Sequence, residues 1–287
     1  MLKEILKIIT FILLIAPIIN SAQINPGARQ NGLSNSDVAL SNDVFSIFNN
    51  PAGISQMNWR EIGGYYSFAP FGLKELATGY VAYNEHTSIG SFGAGFMIYG
   101  FELYKESKFA LTYSKDFNKR FFAGVTILYQ NVSIENYGND NTFCFNIGGL
   151  AYLSKDLRLG FKYHNITRAT YGNEANQIPV VFGSGISYDL IDETSINFSI
   201  EKDIDLPLSF RFGVEYSIIK YLDLRVGIQN EPDSYSGGLG INYSILHLDY
   251  SIFTHNDLGL THQIGIIIDF GEDTPRNKRI KEYLKLQ

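Results

Sequence analysis

From Trp59 onward the chain reads as one strand-like segment after another, with no stretch of helical period among them. Turn chemistry cuts it near 59–68, 76–85, 88–103, 107–115, 119–132, 141–154, 157–166, 178–190, 193–203, 206–218, 220–229, 233–243, 245–254 and 259–270. Most of these segments have the ~9–11 residues that a tilted strand needs to cross a bilayer. Alternation is clean in several. In 206–218, Leu208, Phe210, Phe212, Val214 and Tyr216 alternate with Ser209, Arg211, Gly213, Glu215 and Ser217. Segment 220–229 sets Leu222, Leu224, Val226 and Ile228 against Asp223, Arg225, Gly227 and Gln229, and 157–166 sets Leu157, Leu159, Phe161 and Tyr163 against Arg158, Gly160, Lys162 and His164. A soluble β-sandwich alternates too, with its apolar face inward. Period alone leaves both architectures open.

Connection length and composition separate them. The longer polar links, 135–141 and 168–177, follow odd-numbered segments, whereas links after even-numbered ones are tight, as at Ser154-Lys155-Asp156. Short turns on one rim and longer loops on the other are the pattern of outer-membrane barrels, as is wealth in aromatics and glycine: 19 Tyr, 21 Phe and 27 Gly. The expected fold is therefore an all-β transmembrane β-barrel of about 14 antiparallel strands with a short helical N-terminal plug in the lumen. Its partners are outer-membrane lipid and the barrel-assembly machinery, which would read the ending Gly265, Ile268, Phe270. The net charge of −6 and the absence of a basic stripe give no nucleic-acid signature.

The two ends break the strand pattern. Residues 1–22 resemble a signal peptide: Lys3 and Lys7 precede an apolar run over 8–19, and Asn20-Ser21-Ala22 offers a small-residue cleavage site. Export to the cell outer membrane follows, and the single cysteine, Cys144, has no partner for an internal disulfide. Residues 23–57 form the expected plug, 58–270 the barrel and 271–287 a periplasmic tail, in which Ile280, Tyr283 and Leu284 could line one face of a short helix, a solvated end in the favoured reading and a docking segment in the other. Within the plug, Ser41 is expected to cap a helix whose Val44, Ile47 and Phe48 share an apolar face. Pro51 should end it at about Asn49, and Gly53 should permit a tight reversal. The bland reading is a lead-in covering one sheet edge. Width favours a plug, because about eight strands already close on a packed interior and about fourteen leave a lumen to fill. Asn50, Pro51, Ala52 and Gly53, with Phe48, are the candidate gate.

Two further groups stand out on the strands. Gly93, Gly95 and Gly100 flank the unbroken apolar run Phe96-Met97-Ile98-Tyr99, which suggests either a kink in the third strand or a glycine-rich strand packed against the plug. Arg158, Lys162, Arg211, Glu215, Asp223 and Arg225, together with Glu201 and Asp249, would line the lumen. Their near balance favours cross-strand ion pairs over steering of an anionic head group, with Arg211 expected to neutralise Glu215. Enzyme chemistry finds little footing. The five histidines lack HExxH or close ligand spacing, no GxSxG or Walker loop appears, and no cofactor or metal is implied.

The chain resembles the PorV/PorQ-type outer-membrane proteins, relatives of the FadL transporters. At the front the likeness sits in Gly27-Ala28-Arg29, Gly32, Val38-Ala39, Asp43 and Asn50-Pro51-Ala52-Gly53. At the back it sits in Gly238-Leu239-Gly240, Leu248-Asp249-Tyr250 and Leu258-Gly259-Leu260-Thr261-His262. The resemblance implies a fourteen-stranded barrel with its N-terminal segment in the lumen. PorV-type members imply a role in type IX secretion, with secretion-system components or exported proteins as partners. The alternative is a FadL-like channel that takes up a hydrophobic small molecule, such as a fatty acid or an aromatic, through an opening at a kinked third strand.

Overall fold

The structure, a computed structural model, describes residues 25–172, 176–255, 258–272 and 274–285, so the expected signal peptide lies outside the described residues. Seven strands come first: β1 (Glu61–Ser67), β2 (Thr78–Thr87), β3 (Gly90–Phe101), β4 (Tyr104–Phe117), β5 (Phe121–Ile134), β6 (Gly138–Tyr152) and β7 (Leu157–His164). A short hairpin, β8 (Thr170–Tyr171) and β9 (Asn176–Gln177), interrupts the series. Seven more follow: β10 (Val181–Ile191), β11 (Thr194–Asp203), β12 (Ser209–Ile219), β13 (Leu222–Gln229), β14 (Ser234–Tyr243), β15 (Leu246–His255) and β16 (Gly259–Asp269). Apart from the hairpin they form one closed antiparallel barrel of fourteen strands. β1 closes it by pairing with both β2 and β16, with Glu61 opposite Asn84 and Asp269. Every segment expected from alternation became a strand. The β8–β9 hairpin was not foreseen.

The outward face carries the apolar set. Val81, Phe96, Ile98, Leu111, Val226 and Ile228 are exposed, whereas Ser187, Asn197, Ser199, Ser251 and Gln263 on the inward face are fully buried. A sandwich would reverse this, so the alternation is that of a membrane-spanning barrel. On the rim that holds the strand termini, here the inner rim, the links are tight: 88–89, 118–120, 153–156, 192–193, 220–221 and 244–245. The opposite, outer rim carries the long links 68–77 and 165–180. The second of these folds into the mouth, burying Ile178 and Val180, and Tyr171 donates to Gln130 at 3.1 Å.

The plug lies inside the barrel, and every residue from 26 to 57 except Asn35 is buried. It contains α1 (Ala28–Gly32), α2 (Ser46–Asn49) and a 3₁₀ helix, Pro51–Gln56. The expected helix is thus shorter than its apolar spacing suggested. Ser41 does not cap it but donates to the Ser46 hydroxyl at 3.0 Å. Pro51 ends α2 as expected and then starts the 3₁₀ helix, where Asn50 caps by accepting from the Ala52 N–H. Gly53 sits inside that helix, and its role is room: a side chain there would run into the Ser41 carbonyl.

The tail ends in α3 (Arg276–Leu284), whose Ile280 and Leu284 are buried against the inner rim. A helix this short is marginal in water by itself, so its order comes from docking.

Candidate functional site

The plug seats on a ring of glycines contributed by most of the barrel. A methyl group at Gly63 of β1 would stand 2.6 Å from Val44, one at Gly93 of β3 2.7 Å from Ile47, and one at Gly95 2.5 Å from Phe48. At Gly124 of β5 it would strike the Pro51 backbone, and at Gly148 of β6 the Asn50 side chain. On the far side, a methyl group at Gly160 of β7 would stand 2.5 Å from the Val38 carbonyl, one at Gly213 of β12 2.5 Å from Ser36, and one at Gly227 of β13 2.5 Å from Leu33. Glycine in these strand interiors marks close approach of another backbone.

This placement bears on Gly93, Gly95 and Gly100. β3 pairs with β2 from Thr87↔Gly90 to Thr78↔Tyr99, and with β4 from Ser91↔Ser114 to Phe101↔Tyr104, with no register shift in either ladder. The third strand therefore carries no β-bulge in either ladder. Gly93 and Gly95 instead clear space for Ile47 and Phe48. Gly100, at φ 99°, stands near the outer end of the strand, where its N–H donates to Ala77 at 3.1 Å.

Asn50 is the most heavily used of the candidate gate residues. Its amide donates to the Val38 carbonyl at 2.8 Å, tying the two arms of the plug together, and its backbone carbonyl accepts from Gly53 at 2.9 Å. Below it, Gln56 donates to the Ser41 carbonyl at 2.8 Å and accepts from Tyr152 of β6 at 2.6 Å. Ala52 is fully buried. Phe48 meets the Tyr80 ring edge-on with centroids 5.0 Å apart. Tyr80 meets Tyr65 at 5.8 Å, and Tyr65 meets Phe45 at 6.3 Å. A column of four aromatic rings therefore runs between the plug and the β1–β2 wall.

The charged residues gather on the opposite side. Arg225 reaches three carboxylates: Glu215 at 2.6 Å, Asp249 at 2.6 Å and Asp223 at 3.2 Å. Arg29 of the plug binds the same Glu215 through two nitrogens, at 2.8 and 2.7 Å, and donates to Asn42 at 2.6 Å. Lys162 pairs with Glu201 at 2.8 Å, and Arg158 pairs with Asp189. Arg211 pairs with Glu201 rather than Glu215, a departure from the sequence expectation. The reason is stagger: Arg211 faces Ser199 across the ladder and reaches diagonally to Glu201, while Glu215 faces Arg225. Arg29 is the residue that the list of lumen charges lacked. Its only sequence signal was its place in the Gly27-Ala28-Arg29 motif.

The inner mouth is crossed by α3. Arg276 pairs with Glu61 of β1 and donates to the Asn42 carbonyl of the plug at 3.0 Å, and Asn42 donates to Asn277 at 3.0 Å. Arg279 pairs with Asp269 and lies 3.5 Å over the Trp59 ring. Lys281 reaches Asp156 at 2.9 Å and Asp189 at 3.0 Å. Burial works against its charge, yet these two carboxylates more than compensate and hold its pKa above the ordinary lysine value. The short helix and its apolar face at Ile280 and Leu284 were legible in the tail, with docking the less favoured reading, but the ionic partners were not.

No protein-family model matches the chain, and no curated protein matches it. Solved structures do. A Pseudomonas putida toluene transporter, TodX, superposes with a TM-score of 0.66 at 10% identity, covering 85% of this chain and 97% of its own. The CymD monoaromatic hydrocarbon channel gives 0.62 at 13% identity, covering 85% and 96%. A Pseudomonas aeruginosa FadL homologue gives 0.57 at 14% identity, covering 86% and 97%. At such identities the likeness establishes the fold, a FadL-like barrel.

Proposed function

We propose that this protein is an outer-membrane channel that takes up small hydrophobic molecules, with the segment 25–57 as its plug. The observation that carries this reading is the aromatic column Phe48–Tyr80–Tyr65–Phe45, which offers an apolar surface beside the plug. The printed titles of the similar structures, a toluene transporter and a monoaromatic hydrocarbon channel, name the same class of cargo. The protein-secretion reading, which the sequence resemblance put first, draws no support from them. With both β3 ladders unbroken, the route proposed here runs past the plug rather than through a kinked third strand. Asn50, Pro51, Ala52, Gly53 and Phe48 form the seat that must loosen, and the luminal ion pairs hold the opposite side. The role is passage without catalysis.

Uptake tests this reading. Cells lacking other hydrocarbon channels and expressing this protein should accumulate labelled toluene or decanoate faster than cells with empty vector. Rates no higher than those of the empty-vector cells for both cargoes would end the uptake reading. Trapping of exported proteins in the periplasm of a deletion strain would put secretion in its place.

A further inference from the structure

We infer that α3 is a latch across the inner mouth that holds the plug in its closed seat, so that the plug moves only when α3 leaves the rim. The inference rests on reading 25–57 as the plug of an uptake channel and adds the step that frees it. α3 follows β16 after a short polar link and joins no strand ladder, so the barrel closes without it. Its side chains nevertheless reach round more than half of the ring. Arg276 pairs with Glu61 of β1, and Arg279 with Asp269 of β16. Further along, Lys281 meets Asp156 of the β6–β7 turn at 2.9 Å, Asp189 of β10 at 3.0 Å and Asp192 at 3.4 Å. At the end of the helix, Lys119 of the β4–β5 turn donates to the Tyr283 carbonyl at 2.9 Å and lies 4.1 Å over its ring. A lysine in that place satisfies a free helix carbonyl and suits the helix dipole.

Between these supports α3 grips the plug itself. The Asn42 amide donates to Asn277 at 3.0 Å, and the Asn42 carbonyl accepts from Arg276 at 3.0 Å. Asn42 also accepts from Arg29, so one plug residue joins α3 to the charged wall. The two halves of the latch differ in how easily they part. Glu61 is fully buried, and withdrawing Arg276 would strand its charge. Lys281 is half-buried and Asp192 exposed, so that half parts at little cost. α3 has nine residues and little stability of its own, so losing its far supports weakens the whole helix, the Asn277 tie included.

The test both frees and staples the latch in the full-length protein. Asn277→Ala combined with Lys281→Gln removes the Asn42 amide tie and the far contacts, while Glu61 and Asp269 keep their arginines and Asp189 keeps Arg158. In planar bilayers this variant should open at least about tenfold more often than the parent, with heat-modifiability unchanged. Lys281→Cys with Asp156→Cys, joined by a short reducible bis-thiosulfonate, instead fixes α3 to the rim; Cys144 is buried and does not compete. Toluene uptake by cells carrying the stapled protein should fall to the empty-vector rate and return on reduction. A tie that only stabilised the fold would not stop uptake when made permanent. Openings as rare as the parent's in the folded double variant, or uptake undiminished by stapling, would overturn the latch. The staple carries the test if the double variant fails to assemble. Frequent openings in the double variant without toluene uptake by any form keep the latch and end the uptake reading. Uptake that stapling leaves unchanged does the reverse.

Discussion

On β1–β6 the plug meets glycines, aromatic rings and a few hydrogen bonds, and on β7 and β10–β15 it meets further glycines, ion pairs and small polar side chains. Both walls let the plug approach closely, but they hold it differently. Apolar contact is non-directional and spread over many atoms, so a ring can slide along another at modest cost. The ion-paired wall is directional, and removing one partner strands a buried charge. Arg29 crosses from the plug into that wall through Glu215, while the Phe48 and Ile47 side chains rest against β3 without ionic ties. We therefore hold that the charged wall anchors the plug and the aromatic wall is where it parts from the barrel.

The strongest way to break this contrast is Arg225→Leu. It leaves Glu215, Asp223 and Asp249 short of a shared counter-charge, a loss of about 3–5 kcal/mol for a broken buried pair. The heat-modifiable, SDS-resistant form should largely disappear. A variant that assembles as well as the parent would show that the charged wall is dispensable.

Gly124→Val probes the other wall. The new side chain meets the Pro51 backbone rather than a flexible tip, an overpacking cost of about 1–3 kcal/mol. The strands themselves are untouched, so the barrel should remain heat-modifiable while bilayer recordings show frequent openings. A silent, closed Gly124→Val pore would mean that the plug is not seated by close approach.

The smallest effect belongs to the inner latch. Lys281→Ala removes contacts to Asp156 and Asp189 from a partly exposed rim, and exposed pairs contribute up to about 1 kcal/mol. Because the folded pKa of Lys281 is raised, its contribution is fully present below the ordinary lysine range and is lost as pH rises through the raised value. Limited proteolysis should release α3 in strong alkali from the parent, and the parent's alkaline step should be missing in the variant. An identical pH profile for both would exclude Lys281 as a latch.

How much of this was legible in the sequence follows from which forces are local. Period-two alternation survives any tertiary context, so all fourteen strands were visible, as in the clean run of 206–218. The plug was visible as an exception, yet its shape was not, because its wall contacts come from strands far away in sequence. Ser41 offered capping chemistry, but the chain there is bent by the Asn50–Val38 tie and by Gln56. Gly93 and Gly95 broke the alternation for a reason outside their own strand. Arg211 found Glu201 because the stagger between β11 and β12 is a property of the closed barrel. The tail's arginines looked solvated until Glu61, Asp269 and Asn42 were brought beneath them.

The claim that the N-terminal segment shuts the pore is tested most directly by single-channel recording on a chain lacking residues 23–49, with residues 1–22, the expected signal peptide, kept. The barrel should still form, because Glu215 keeps Arg225 when Arg29 is gone. Our account predicts a heat-modifiable protein with a large, steady conductance where the parent is nearly silent. A folded deletion variant as closed as the parent would contradict it.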